Sequence, residues 1–442
     1  MSVTTHHETA APGVSPPPAE AGAVKVAPGE IAIGVIIGRI SEFFDFFVFG
    51  IASVLVFPAV FFPFVEPMQG TIYSFMLFSL AFIARPIGSL LFRIIHTRYG
   101  RGVKLTVALF MLGTTTVGIA FLPGYADMGI ASIVLLSLLR FGQGLAVGGS
   151  WDGLPSLLAL NAPQNRRGWY AMIPQLGAPV GFIIATGLFT YSVVSLSPED
   201  FNSWGWRYPF YVAFAINVVA LFARLRLVMT PEFTQLLKTR ELEPAPLGEL
   251  MSTQRTNIAL GALAPLASYA LFHLVTVFPL SWVLLFTQQS LSSFLIVQII
   301  GAVVAVPCMV LSGTIADRVG RRMTLAIFAV LIAIYSGWCP VLLNGSVTGG
   351  YLFTILGFAL LGFSHGQSAG AVNSSFPSRF RYSGAVLTSD LGWLVGAAFA
   401  PLLALELAVH LGVGYVGLYL LSGAICTLVA LGISRSLELK DE

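Results

Sequence analysis

The chain of 442 residues is 56% hydrophobic and only 10% charged, with a mean hydropathy of +0.85. A soluble domain carries about a quarter charged residues, so a water-facing globular protein is excluded and the bilayer must be the solvent. The net charge of +3 therefore says nothing about nucleic acid, and no nucleic-acid partner is expected.

In chain order, residues 1–30 are rich in Ala, Pro, Gly and Glu without a signal-peptide core, and read as a disordered cytoplasmic tail. Apolar runs long enough to cross the hydrocarbon follow near 31–62, 71–95, 103–122, 128–150, 168–193 and 207–228. A polar stretch at 229–256 reads as a linker. Six more runs lie near 257–287, 290–312, 323–343, 349–373, 384–406 and 410–434, and 435–442 reads as a short cytoplasmic tail. The expectation is an all-α membrane protein, with one six-helix bundle over 31–228 and a second over 257–434. Cys308, Cys339 and Cys426 lie in apolar runs without metal-ligand spacing, and His6 and His7 are too few for a site. No metal is expected.

Nineteen of the 23 Lys and Arg residues fall at the termini, in alternate loops or in the linker and its flanks, and the other loops have none. That asymmetry predicts both termini and the linker in the cytoplasm. The remaining four, Arg39, Arg85, Arg140 and Arg207, lie within or at the ends of spans, as do the acids Glu42, Asp45, Asp152 and Asp390. Charges at such depth normally face a protein interior or a water-filled cavity.

The two halves repeat one another. Gly313-Thr-Ile-Ala-Asp317-Arg318-Val-Gly320-Arg321-Arg322 has a degraded counterpart in His96-Thr97-Arg98-Tyr99-Gly100-Arg101. Ala162-Pro163 with Arg166-Arg167-Gly168 and Gln175-Leu-Gly177 is matched by Phe376-Pro377, Arg381-Tyr-Ser-Gly384 and Asp390-Leu-Gly392. Paired six-span halves predict a transporter with a central site at their interface and alternating access around it.

On these residues the sequence resembles the major facilitator superfamily and, within it, the metabolite:proton symporters. The loop Gly313 to Arg322 is similar to the superfamily signature and Leu139-Arg140-Phe-Gly-Gln143-Gly144 to its fourth-span motif linked to proton coupling; the narrower motifs are Gly38-Arg39-Ile-Ser-Glu42-Phe-Phe-Asp45-Phe46, Ala84-Arg85-Pro-Ile-Gly88, Pro174 to Pro179, Trp204-Gly-Trp-Arg207 and Phe376 to Gly384. The resemblance implies twelve transmembrane helices in two pseudo-symmetric bundles, the major facilitator fold. It also implies proton-driven uptake of a small organic acid, with zwitterion symport, export or a non-transporting sensor as alternatives. The expected setting is a bacterial-type inner membrane. A monomer needing no cofactor beyond the proton gradient is expected, without the long C-terminal coiled coil of one subgroup.

Glu42 and Asp45, i and i+3, share one helical face, and two carboxylates so close in low dielectric do not both stay ionised cheaply. Either they couple transport to protons, or Arg39 neutralises Glu42 permanently. Arg140 is a further coupling candidate from its motif, flanked by a smooth stripe at Gly144 and Gly148 where a helix can pack. Asp390 stands where an amide is commoner. Candidate substrate contacts are Arg39, Arg85, Arg207, Gln143, Trp151, Tyr269, His273, His365 and Gln367. An anionic substrate needs cations at depth, although Arg39 could snorkel to the interface and Arg207 could cap the outer end of its span. Candidate gating residues are Arg98, Gly100, Arg101, Asp317, Arg318, Gly320, Arg321 and Arg322. Thr97, Ser150 and Ser374 stand where the resemblance leads one to expect acids, which puts the usual gate contacts in doubt.

Overall fold

The computed structural model describes residues 28–150, 155, 156, 158, 162–228, 244–369 and 376–434, and the regular structure among them is helical. The apolar runs form α1 (Pro28–Leu55), then α2 (67–99) and α3 (101–121), which are one long helix, Pro67–Phe121, broken at Gly100. After these come α4 (Ile130–Gly149), α5 (Arg167–Ser195) and α6 (Tyr208–Val228). The second half comprises α7 (Leu247–Phe286), α8 (Leu291–Val319), α9 (Arg321–Gly345), α10 (Val347–His365), α11 (Ser378–His410) and α12 (Gly414–Ile433). Ten helices among the described residues are long and apolar enough to cross a membrane. One of them is the double helix α2–α3, and α1 stands outside the group because it carries Arg39, Glu42 and Asp45. The result is twelve spans in two six-helix bundles. Their outer faces are apolar: Phe110 is 65% exposed, Phe222 67% and Ile130 69%, a surface suited to lipid rather than water.

The repeat is visible in the backbone. Gly100 has φ 84° and ψ 171°, and Gly320, between α8 and α9, has φ 85° and ψ 150°. Both values lie where a Cβ is disfavoured, so the same glycine turns the chain in each half. α7 begins at Leu247, within the stretch that reads as a linker.

Three features position the interior. α4 lies directly on α2: a Cβ at Gly144 would meet Ala81 O at 2.3 Å and one at Gly148 would meet Arg85 O at 2.1 Å. The small-residue stripe thereby fixes where Arg85 leaves its helix. α7 is interrupted at Val277, just before Pro279, and α11 between Gly396 and Ala400, just before Pro401, because proline supplies no N–H and clashes with the preceding turn. Carbonyls freed at these breaks are capped by side chains: Gln298 Nε2 donates to Thr276 O at 2.8 Å and Ser79 Oγ to Ala398 O at 2.7 Å.

Candidate functional site

A cavity of about 60 Å³ lies at the bundle interface, lined by Arg39, Glu42, Asp45, Arg85, Arg140 and Gln143 of the first half and by Trp393 of the second. The halves meet on both sides of it. Toward the basic turns, Gly168 N–H donates to Asp317 Oδ1 at 2.6 Å; toward the opposite end, Ser79 reaches Ala398 across the interface.

The two α1 carboxylates belong to separate networks. Glu42 is held between two guanidiniums, Arg39 Nη1 and Arg224 Nη1, each at 2.8 Å, and accepts from Ser150 Oγ at 3.0 Å. Arg224 also donates to Ser150 O at 2.6 Å, so the serine that replaces an expected acid carries part of this cluster. Arg39 lies 4.8 Å from the Phe43 ring and lines the cavity, so it does not snorkel to the interface.

Asp45 has only uncharged donors around it. Thr116 Oγ1 and Asn217 Nδ2 donate to Oδ1, the latter at 3.2 Å, and Gln143 Nε2 donates to Oδ2 at 3.3 Å. Gln143 in turn accepts from Arg140 Nη1 at 3.1 Å. The Arg140 guanidinium is fully buried, 3.8 Å from the Phe49 ring centroid and 5.1 Å from that of Phe78, with Phe78 O as a further acceptor. A chain of hydrogen bonds thus runs from Asp45 through Gln143 to a cation lodged among aromatic faces, where cation–π attraction partly replaces lost hydration.

Arg85 and Asp390 face one another across the halves. Arg85 Nε lies 2.6 Å from Asp390 Oδ1, although its N–H is not aligned for a hydrogen bond, and Ser89 Oγ donates to Asp390 Oδ2 at 2.5 Å. One step along both helices, Phe82 and Trp393 are near-parallel, with centroids 6.3 Å apart and planes at 22°. Tyr269 stacks on Trp393 at 4.4 Å, so it supports the lining indirectly. The His273 ring lies within 5.3 Å of Phe46, Phe78 and Phe272, and His365 lies 5.1 Å from Phe272. Each histidine has an Nε2 without a hydrogen-bond partner among the described residues.

Other candidates lie elsewhere. Arg207 does not reach the cavity: its Nη1 donates to Ala120 O at 2.8 Å and Leu122 O at 3.2 Å, capping α3 at the end opposite the basic turns. Gln367 bridges Gly168 O at 3.2 Å and Ser312 Oγ at 3.3 Å, a contact between halves toward the basic end. Trp151, Asp152 and Ser374 lie outside the described residues. In the second basic turn Asp317 also accepts from Trp169 N–H at 3.3 Å, holding the start of α5, while Arg322 Nε donates to Leu431 O at 2.9 Å. Arg98 and Arg318 are exposed, and Arg321 is buried. In the first turn Thr97 Oγ1 returns to Ile94 O of its own helix at 3.0 Å. The start of α11 is met instead by Lys104, whose Nζ lies 3.1 Å from Tyr382 Oη.

Sequence reasoning missed Arg224, Thr116, Asn217, Phe82 and Trp393. Arg224 sits at a span end, where a base reads as a flank. The hydroxyl and amide lie singly in apolar runs, and aromatic residues there read as core.

A charged cavity between two six-helix bundles defines a membrane carrier of small molecules. Residues 31–249 match the family described as sugar (and other) transporter. The chain is 37% identical to the inner membrane metabolite transport protein YhjE of Escherichia coli (strain K12), over 91% of this chain and 93% of that one. It is 29% identical to the shikimate transporter of the same organism, covering 89% and 91%. The D-xylose-proton symporter structure shares the fold with a TM-score of 0.68 at 18% identity, covering 93% of this chain and 98% of that one. This chain belongs to the major facilitator superfamily, among its metabolite transporters.

Proposed function

We propose that this carrier takes up a small carboxylate metabolite together with a proton, by alternating access of the central cavity across a bacterial-type inner membrane, with the basic turns and both termini in the cytoplasm. The observation that carries the reading is the environment of Asp45. Glu42 and Asp390 each face arginine, whereas Asp45 is buried among uncharged donors. It is therefore the carboxylate with least electrostatic reason to stay ionised, and the group that takes up and releases the proton. Protonation removes its hold on the Gln143–Arg140 chain, which ties α1 to α4, and so links proton binding to the packing of the first bundle. The substrate carboxylate goes to Arg85 and Arg39, the arginines that line the cavity besides Arg140. Relatives named as metabolite and shikimate transporters support a small metabolite.

The test is uptake of a labelled carboxylate panel by proteoliposomes, with and without an imposed pH gradient. Accumulation of at least one acid that collapses on adding a protonophore is expected. Accumulation indifferent to the protonophore overturns proton coupling.

A further inference from the structure

The carrier reading leaves the shape of the carboxylate open, and the Arg85–Asp390 contact narrows it. α2 and α11 run antiparallel across the interface, and two of their contacts form successive rungs. One is the ion pair Arg85–Asp390, at 2.6 Å; the other, three residues along on each helix, is the ring pair Phe82–Trp393, at 6.3 Å. Residues i and i+3 on a helix are about 5–6 Å apart at Cβ. That separation matches the reach from a guanidinium, through a bound carboxylate, to the ring that bears it.

We propose that the substrate is a monocarboxylate borne on a flat, unsaturated ring. Its carboxylate displaces Asp390 from Arg85 while its ring enters between Phe82 and Trp393, making these two the specificity-determining walls. The inference rests on the carrier reading and adds the substrate class.

Three observations support it. The existing ion pair is close but poorly aligned, since Arg85 Nε has no properly directed acceptor. A free carboxylate can present both oxygens to the guanidinium fork and gains the geometry that Asp390 lacks. Arg39 lines the same cavity, and its buried Nε has no hydrogen-bond partner among the described residues, so a second donor is available.

The ring pair is a slot in waiting. Both rings line the cavity, near-parallel and with centroids 6.3 Å apart, so a flat ring entering there meets an aromatic face from each half. Trp393 keeps its plane because Tyr269 stacks on it at 4.4 Å and Phe272 meets it edge-on at 5.1 Å. Because Phe82 and Trp393 come from different halves, the inserted ring holds the halves together where the ion pair did. The substrate takes over the latch instead of merely breaking it.

Charge bookkeeping fits a monoanion. Arg39, Arg85, Arg140 and Arg224 face Glu42, Asp45 and Asp390. One proton on Asp45 plus one monoanion leaves the net charge of the buried site unchanged, and the displaced Asp390 carboxylate keeps the Ser89 hydroxyl as its donor.

The test is equilibrium binding to the purified full-length protein, which avoids passive permeation of weak acids. The probes are benzoate, cyclohexanecarboxylate, benzamide, 2-oxoglutarate and glycine betaine. Benzoate should bind at least about tenfold more tightly than cyclohexanecarboxylate, whose ring is not flat, and benzamide should not bind. Trp393→Leu should erase the benzoate preference, and Trp393→Tyr, which keeps a flat ring, should retain it. Arg85→Gln should abolish binding of both acids. Equal binding of the two ring acids, preference for 2-oxoglutarate or betaine, loss of the benzoate preference in Trp393→Tyr, or no binding of any probe each overturns the proposal. If the protein nevertheless accumulates an acyclic acid in response to a pH gradient, the carrier reading stands and only the ring class falls.

Discussion

Glu42 and Asp45 stand three residues apart on one helix, yet among the described residues they are held by different partners: one carboxylate is clamped by Arg39 and Arg224, the other by Thr116, Asn217 and Gln143. Adjacency in sequence gives the pair a common face, but the helices around it, α3, α4 and α6, bring different chemistry to each. On the proposed function, the division separates a structural charge cluster from the group that exchanges the proton.

Asp45→Asn should abolish accumulation driven by a pH gradient while preserving substrate exchange between the two faces of a proteoliposome. The amide keeps the hydrogen-bonding shape but never exchanges a proton. Loss of exchange to the same degree as accumulation assigns Asp45 to binding or folding instead.

Glu42→Gln should lower the melting temperature and reduce exchange and accumulation together. Removing one partner from a buried ion-pair cluster leaves the other charges uncompensated, at a cost of about 3 kcal/mol or more. Selective loss of accumulation, with stability unchanged, makes Glu42 a coupling group after all.

Arg207→Gln should destabilise the protein without changing substrate affinity. Its guanidinium satisfies two carbonyls at the end of α3, and charge-assisted bonds of this kind contribute about 2 kcal/mol. Thermal unfolding in detergent measures the first effect and binding the second; unchanged stability with weakened binding returns Arg207 to the substrate site.

Twelve spans in two halves were legible because hydropathy, the placement of bases and the repeated turns each constrain the same count. The Arg39–Glu42 pair was legible too, since an i, i+3 separation guarantees proximity on a helix. Long-range pairings were not. Nothing local distinguishes Arg224, which crosses to Glu42, from an ordinary flanking base, and nothing local tells Arg85 that Asp390 faces it from 305 residues away. Arg207 shows the converse error: a motif fixes that an arginine is there, but only the end of α3 beside it explains what it holds. Phe82 and Trp393 look like core in sequence because their distinguishing property is relative orientation, which composition does not encode.

Asp317 and Thr97 occupy equivalent places in the two basic turns but have different partners. Asp317 accepts backbone N–H groups from Gly168 and Trp169 at the start of α5 and ties the second half to the first, whereas Thr97 turns back to Ile94 of its own helix. A carboxylate near a helix N-terminus gains about 0.3–1 kcal/mol from the helix dipole and the unpaired N–H groups. Thr97→Asp should supply that interaction at the start of α11, where Lys104 already meets Tyr382, and favour the state closed at the basic end by about twofold to fivefold. Asp317→Ala should shift the population the other way. The readout is solvent accessibility of single cysteines placed on either side of the cavity in a background lacking the native three. Equal accessibility in Thr97→Asp and the parent shows that the first turn has no part in closing the basic end, and that the Lys104–Tyr382 contact has replaced the lost acid altogether.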